Sequence, residues 1–242
     1  MLFFAGTAIP TTSASRESRA ANVLYTGYQV VGPYSTLRVK SSWIVPTANC
    51  TSTPNSVSNI SVIIDGINGE GDAMEIGTYQ NCVQGVAAYG AFVNIYPITG
   101  YYGGKKNISD FVIHPGDVIE AQGTWRTHTR KNGDWNTNFI DVTTNQKVDT
   151  NAHTNSAFEP VLDSAALILS SDGHALTALS TPIDTGVQYT GVKYSDVTGP
   201  WKGRSTFGQT ANITGYSLIA WQISGTALGA LSDDGSSFQI TT

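Results

Sequence analysis

Apolar and polar residues alternate along one short segment of this chain after another. Leu37, Val39, Trp43 and Val45 fall on one face, and Arg38, Lys40 and Ser42 fall on the other. A period of two is the spacing of a pleated strand, whose successive side chains point to opposite faces. The pattern returns in Met74–Gln80, where Met74, Ile76 and Thr78 oppose Glu75, Gly77 and Tyr79, with Ala73 on the Glu75 side. It returns again in Val86–Tyr96, where Phe92, Asn94 and Tyr96 oppose Ala91, Val93 and Ile95. The apolar run Asn59–Asp65 reads as a central strand. Further strands are expected over Val118–Trp125, Ala165–Ser170, Gly186–Tyr194, Tyr216–Ile223 and Ser236–Thr242.

The segments between carry turn chemistry. Pro46 and Pro97 close their strands, and His114-Pro-Gly-Asp117 reads as a turn. Asn132-Gly133 takes the positive φ angles of a type I′ turn, joining Gln122–Thr129 to Trp135–Thr143 as a hairpin. No stretch shows long amphipathic helical periodicity, and there is no internal repeat or linker. Many short strands with Gly, Pro and Asn turns predict an all-β domain, a sandwich or a barrel. At 242 residues and 40% hydrophobic content, one domain holds a sizeable core.

Charge narrows the function. Charged residues make up 13% of the chain and the formal net charge is −5, with no Lys/Arg run. That excludes a nucleic-acid partner. An acidic, charge-poor surface suits a secreted protein living at low pH. Leu2–Ile9 is apolar but too short to span a membrane, which takes about 20 residues. With the small-residue site Ser13-Ala-Ser15 it reads as the tail of a secretory signal. The rival reading is an apolar arm that packs on this subunit or a neighbour. Residues 1–22 therefore stand apart from a sandwich over 23–242. Cys50 and Cys82 make one disulfide or two buried thiols, and the extracellular signs favour the disulfide. Asn49, Asn59, Asn107 and Asn212 head Asn-x-Ser/Thr glycosylation acceptors. The four histidines have no metal-ligand spacing, the acidic loop Asp65–Asp72 reads as a solvated turn, and no metal or cofactor is expected.

Several pieces carry a resemblance, in order along the chain. They are Ser42-Trp-Ile-Val-Pro46, Ile64-Asp-Gly66, Glu75-Ile-Gly-Thr-Tyr-Gln-Asn-Cys82 and Ala91-Phe-Val-Asn-Ile-Tyr-Pro97. Pro115-Gly-Asp117, Asp141-Val-Thr-Thr144 and Leu231–Phe238 follow. Over about Tyr25–Thr242 the chain resembles the glutamic peptidases, or eqolisins, which are secreted acid endopeptidases. The resemblance implies a lectin-like (concanavalin A-like) antiparallel β-sandwich. It also implies a Gln and a Glu that activate a water and hold the developing oxyanion.

The departures fall on that chemistry. Glu75 stands at the Gln position. The Glu motif reads Ser156-Ala-Phe-Glu-Pro160, with Phe158 in the Glu slot unless a one-residue shift brings Glu159 there. Ser61 stands where the family has a Trp, and Asn94 where it has a second Glu. Two readings follow. In the first, Glu75 and Glu159 form a carboxyl dyad that hydrolyses a polypeptide at acid pH, with Phe92, Asn94 and Tyr96 against the substrate. In the second, the chain is catalytically inactive. It is then an extracellular assembly subunit of a filament or surface layer, Leu2–Ile9 adding a strand to a neighbour, or a glycan- or peptide-binding module.

Overall fold

The computed structural model describes residues 24–32, 36–51, 54–65, 73–96, 104–129, 132–154, 164–171, 186–189, 204–205, 217–222, 226–233 and 235–241. Residues 1–22, and with them the expected signal or arm, lie outside these. The described strands are all antiparallel. A seven-stranded sheet runs in the order β13 (Ser217–Trp221), β1 (Leu24–Val31), β10 (Ser164–Ser171), β3 (Ser58–Ile64), β4 (Ala73–Val83), β5 (Val86–Tyr96), β6 (Gly104–Asn107). A six-stranded sheet runs β12 (Arg204–Ser205), β11 (Gly186–Tyr189), β2 (Thr36–Ile44), β7 (Val118–Thr129), β8 (Asn132–Asp141), β9 (Gln146–Thr154). A small ribbon pairs β14 (Ala227–Leu228) with β15 (Ile240–Thr241).

The alternation decides which faces meet. Val30, Ile60, Val62, Ile64, Met74, Ile76, Ala91 and Val93 from the first sheet share one buried cluster with Val39, Trp43, Ile119, Ala121, Trp135 and Phe139 from the second. Burying each such side chain contributes about 1.5–3 kcal/mol relative to leaving it in water. Trp43 is the polar hinge between the layers: its ring lies in the cluster and its Nε1–H donates to Thr78 Oγ1 across the interface at 3.1 Å. The result is a single-domain antiparallel β-sandwich.

Two expectations need amendment, and a turn and a strand join those expected. Asn132 and Gly133 do not form the hairpin turn: they already belong to β8, Asn132 opposite Thr129 and Gly133 opposite Thr127. The missing side chain at Gly133 serves packing instead. A Cβ there would meet the Trp125 ring at 2.2 Å and the Arg126 carbonyl oxygen at 2.6 Å. The two-positive-φ turn lies at Gln84-Gly85, with φ of 52° and 81°, joining β4 to β5. Ser236–Thr242 contributes only Ile240–Thr241 as strand, because Ser232 Oγ accepts from the amides of Ser236 and Ser237 and Gly235 takes φ 67°. β9 was not expected; its sequence Gln146–Thr154 has little apolar content because it is the outer edge of its sheet.

Cys50 and Cys82 are disulfide-bonded, tying the loop after β2 to the end of β4. Among the described residues no helix is long and apolar enough to cross a membrane. Of the glycosylation acceptors, Asn49 and Asn107 are exposed and Asn59 is half-buried within β3, while Asn212 lies outside the described residues.

Candidate active site

Because Met74 and Ile76 point inward, Glu75 must point out of the sandwich, on the far face of the seven-stranded sheet. Register then fixes its neighbours. Glu75 sits directly opposite Asn94 on β5 and Ile63 on β3. The line continues through Ala166 on β10 to Gln29 on β1 and Ile219 on β13, and on the other side to Lys105 on β6. One row of cross-strand partners thus crosses the whole sheet, neighbours spaced about 4.8 Å apart. The adjacent row holds Trp221, Gly27, Ile168, Ser61, Gly77, Phe92 and Asn107.

Glu75 is half-buried. Ser61, diagonal to it, donates its hydroxyl to Glu75 Oε1 at 2.7 Å. Asn94 donates from Nδ2 to Oε2 at 3.4 Å. The carboxyl accepts on both oxygens, as an ionised carboxylate does. Ser61 is fully covered, and Asn94 is 5% exposed. Gly77 makes this closeness possible. A Cβ at 77 would come within 2.1 Å of the Ile60 carbonyl oxygen and 2.7 Å of Ser61 Cβ. Only a glycine lets β3 and Ser61 lie where they do.

At the β1 end of the face, Gln29 Oε1 accepts from the Trp221 indole N–H at 3.0 Å, and Ile63 packs with Tyr25 and Trp221. Of the residues expected at the site, Phe92 is covered, at 1% exposure, opposite Gly77. Tyr96 pairs with Ala73 at the end of β5. Glu159 lies outside the described residues. Among those described, no group of His, Cys, Asp and Glu side chains is placed to hold a metal ion. Sequence reasoning missed the Ser61–Glu75 hydrogen bond. Its only signal was that both positions depart from the family pattern; the diagonal register that brings them together is not written in either segment alone.

Two antiparallel sheets packed face to face define the class of β-sandwich folds, and the solved structures agree on the fold. Scytalido-glutamic peptidase, crystallised with a transition state analog inhibitor, superposes with a TM-score of 0.65 at 16% identity, covering 90% of this chain and 98% of that one. SCP-B, a member of the eqolisin family of peptidases in complex with the tripeptide Ala-Ile-His, gives 0.59 at 16% identity over the same shares. The model of the Peptidase A4 family matches residues 25–236, so the chain belongs to that family. No curated protein sequence matches it.

Proposed function

We propose that this protein is a secreted hydrolase of polypeptides that works at acid pH, with Glu75 as its reacting carboxyl. The observation that carries this is the Glu75 carboxyl itself. It is half-buried on the outer sheet face, with a hydroxyl on one oxygen and an amide on the other. A carboxylate so held serves as a general base toward an attacking hydroxyl, and family membership supplies polypeptide as the substrate class. Glu159 is the second carboxyl in this reading, proposed to protonate the leaving amine; it directly precedes Pro160, a position that disfavours helical backbone. The disulfide supports an extracellular setting.

The test is proteolysis of an unfolded protein substrate at acid pH. Glu75→Gln, which keeps size and removes the charge, abolishes cleavage while leaving the melting temperature within a few degrees. Equal cleavage by wild type and Glu75→Gln sinks the assignment. A second reading rests on the same hydrogen bonds: a carboxylate already satisfied by Ser61 and Asn94 is also what a retired site looks like. It predicts no cleavage by wild type at any pH, with polypeptide or glycan binding to the intact fold, or self-assembly through Leu2–Ile9.

A further inference from the structure

The attacking group in the reading above is left open by Glu75 alone. We infer that Ser61 is a nucleophile, activated by Glu75 and positioned through Asn94, so that cleavage runs through a serine ester. The inference rests on the proposed hydrolase reading.

The geometry has the three parts that nucleophilic catalysis needs. The nucleophile's hydroxyl must lie within about 2.6–3.2 Å of its base, and a third group must orient the base. Ser61 Oγ is 2.7 Å from Glu75 Oε1. Asn94 Nδ2, directly across the β4–β5 ladder, holds the other oxygen, Oε2, and so turns Oε1 toward β3. All three side chains project on one face from three adjacent strands of regular sheet, which are rigid supports. The sequence adds independent weight. Ser61, Glu75 and Asn94 are three positions at which the chain departs from the family's site pattern, and in the structure Ser61 and Asn94 both bond Glu75.

The step balances within the site. Ser61 Oγ bonds to the scissile carbonyl carbon while its proton passes to Glu75 Oε1. The carbon–nitrogen bond then breaks, and the departing amine takes that proton. Water attacks the resulting ester, gives one proton to Glu75, and the Ser61 oxygen recovers it as the carboxylic acid leaves. Ser61 has no accessible surface in this structure, so the inference requires that the outer face admit substrate beside the half-buried Glu75.

The experiment treats the full chain at acid pH with a small fluorophosphonate and reads intact mass, then maps the adduct. One phosphonyl group on Ser61 is expected, absent from Ser61→Ala and from Glu75→Gln. Ser61→Ala is expected to lower kcat for peptide cleavage by more than about 10³-fold. Asn94→Ala is expected to lower kcat with little change in KM, a split that mere loosening of the fold does not give. If cleavage needs Glu75 but proceeds in Ser61→Ala, the nucleophile is wrong and the hydrolase reading stands. If wild type cleaves nothing and takes no label, both fall; label on Ser61 without cleavage leaves the activated serine and overturns only the polypeptide substrate. Should Ser61→Ala fail to fold, wild type acid-quenched during turnover of a nitrophenyl ester decides. A burst of about one nitrophenol per chain with an acyl adduct on Ser61 supports the inference. Linear release with no adduct overturns it.

Discussion

At the scale of single residues, Gly77 controls the candidate site without carrying any chemistry. Its missing Cβ is what lets Ser61 lie within reach of Glu75, since backbone of β3, and not a flexible side-chain end, fills the space a methyl group would take. Gly77→Ala is therefore expected to force β3 and β4 apart. Overpacking of this kind costs about 1–3 kcal/mol. Chemical denaturation should read that loss, and Ser61 labelling should weaken with it; an unchanged midpoint would show that the two strands yield easily. Inward and outward faces were legible here from residue types alone: Met74 and Ile76 inside put Glu75 outside. What stayed hidden was contact between strands. Ser61 and Glu75 are fourteen positions apart, and only the pairing of Ser61 with Gly77 shows that they are diagonal neighbours.

At the scale of elements, the two hairpins show why strands are easier to read than the turns between them. Asn132-Gly133 has the composition of a type I′ turn, yet the demands of the Trp125 ring draw Gly133 into β8. Gln84-Gly85 lacks an Asn or Asp at its first position, yet it makes the turn. Gln84 adopts φ 52° there, and its amide donates to Asn55 Oδ1 at 3.0 Å. The disulfide and the Ser56–Cys82 bridge hold the hairpin beside this loop, so tertiary anchoring overrides turn propensity. A left-handed conformation costs most residues about 1–2 kcal/mol, and Asn tolerates it best after Gly. Gln84→Asn should therefore stabilise the protein by up to about 1 kcal/mol, seen as a raised denaturation midpoint at unchanged slope. A lowered midpoint would mean that the Gln84 side chain contributes more than its backbone strain costs. β9 escaped notice for a different reason: an edge strand buries too little to need an apolar face.

At the scale of the whole molecule, the chain's end is fastened to its beginning through Tyr28. The Tyr28 ring meets Phe238 edge-on at 4.9 Å, and its hydroxyl donates to the Gly229 carbonyl at 2.9 Å. Burial pushes the phenol above its ordinary value of 10.0, with a backbone hydrogen bond at Leu231 pulling the other way. The folded state thus keeps a proton that the unfolded chain gives up near its ordinary value. This contribution to stability is intact below pH 10.0 and is lost as pH rises through the folded value. The difference in melting temperature between wild type and Tyr28→Phe should be constant below that pH and shift against wild type above it; parallel curves throughout would show that the phenol does not titrate with unfolding.

The order of strands in the seven-stranded sheet also sets a timetable. β3, β4 and β5 follow one another along the chain and pair as soon as they are made. Their other flank does not. Ile63 waits for Ala166, and Gln29 for both Ala166 and Ile219. Pairings between residues so distant in sequence form late and make folding slow. Until β10 arrives, β3 is an open edge. The strands bearing Ser61, Glu75 and Asn94 are assembled early, but the sheet that supports them closes only after most of the chain has been made. Under the proposed function, a peptide-cleaving centre built this way stays unfinished while its own chain is still extended, the state in which that chain is most easily cut.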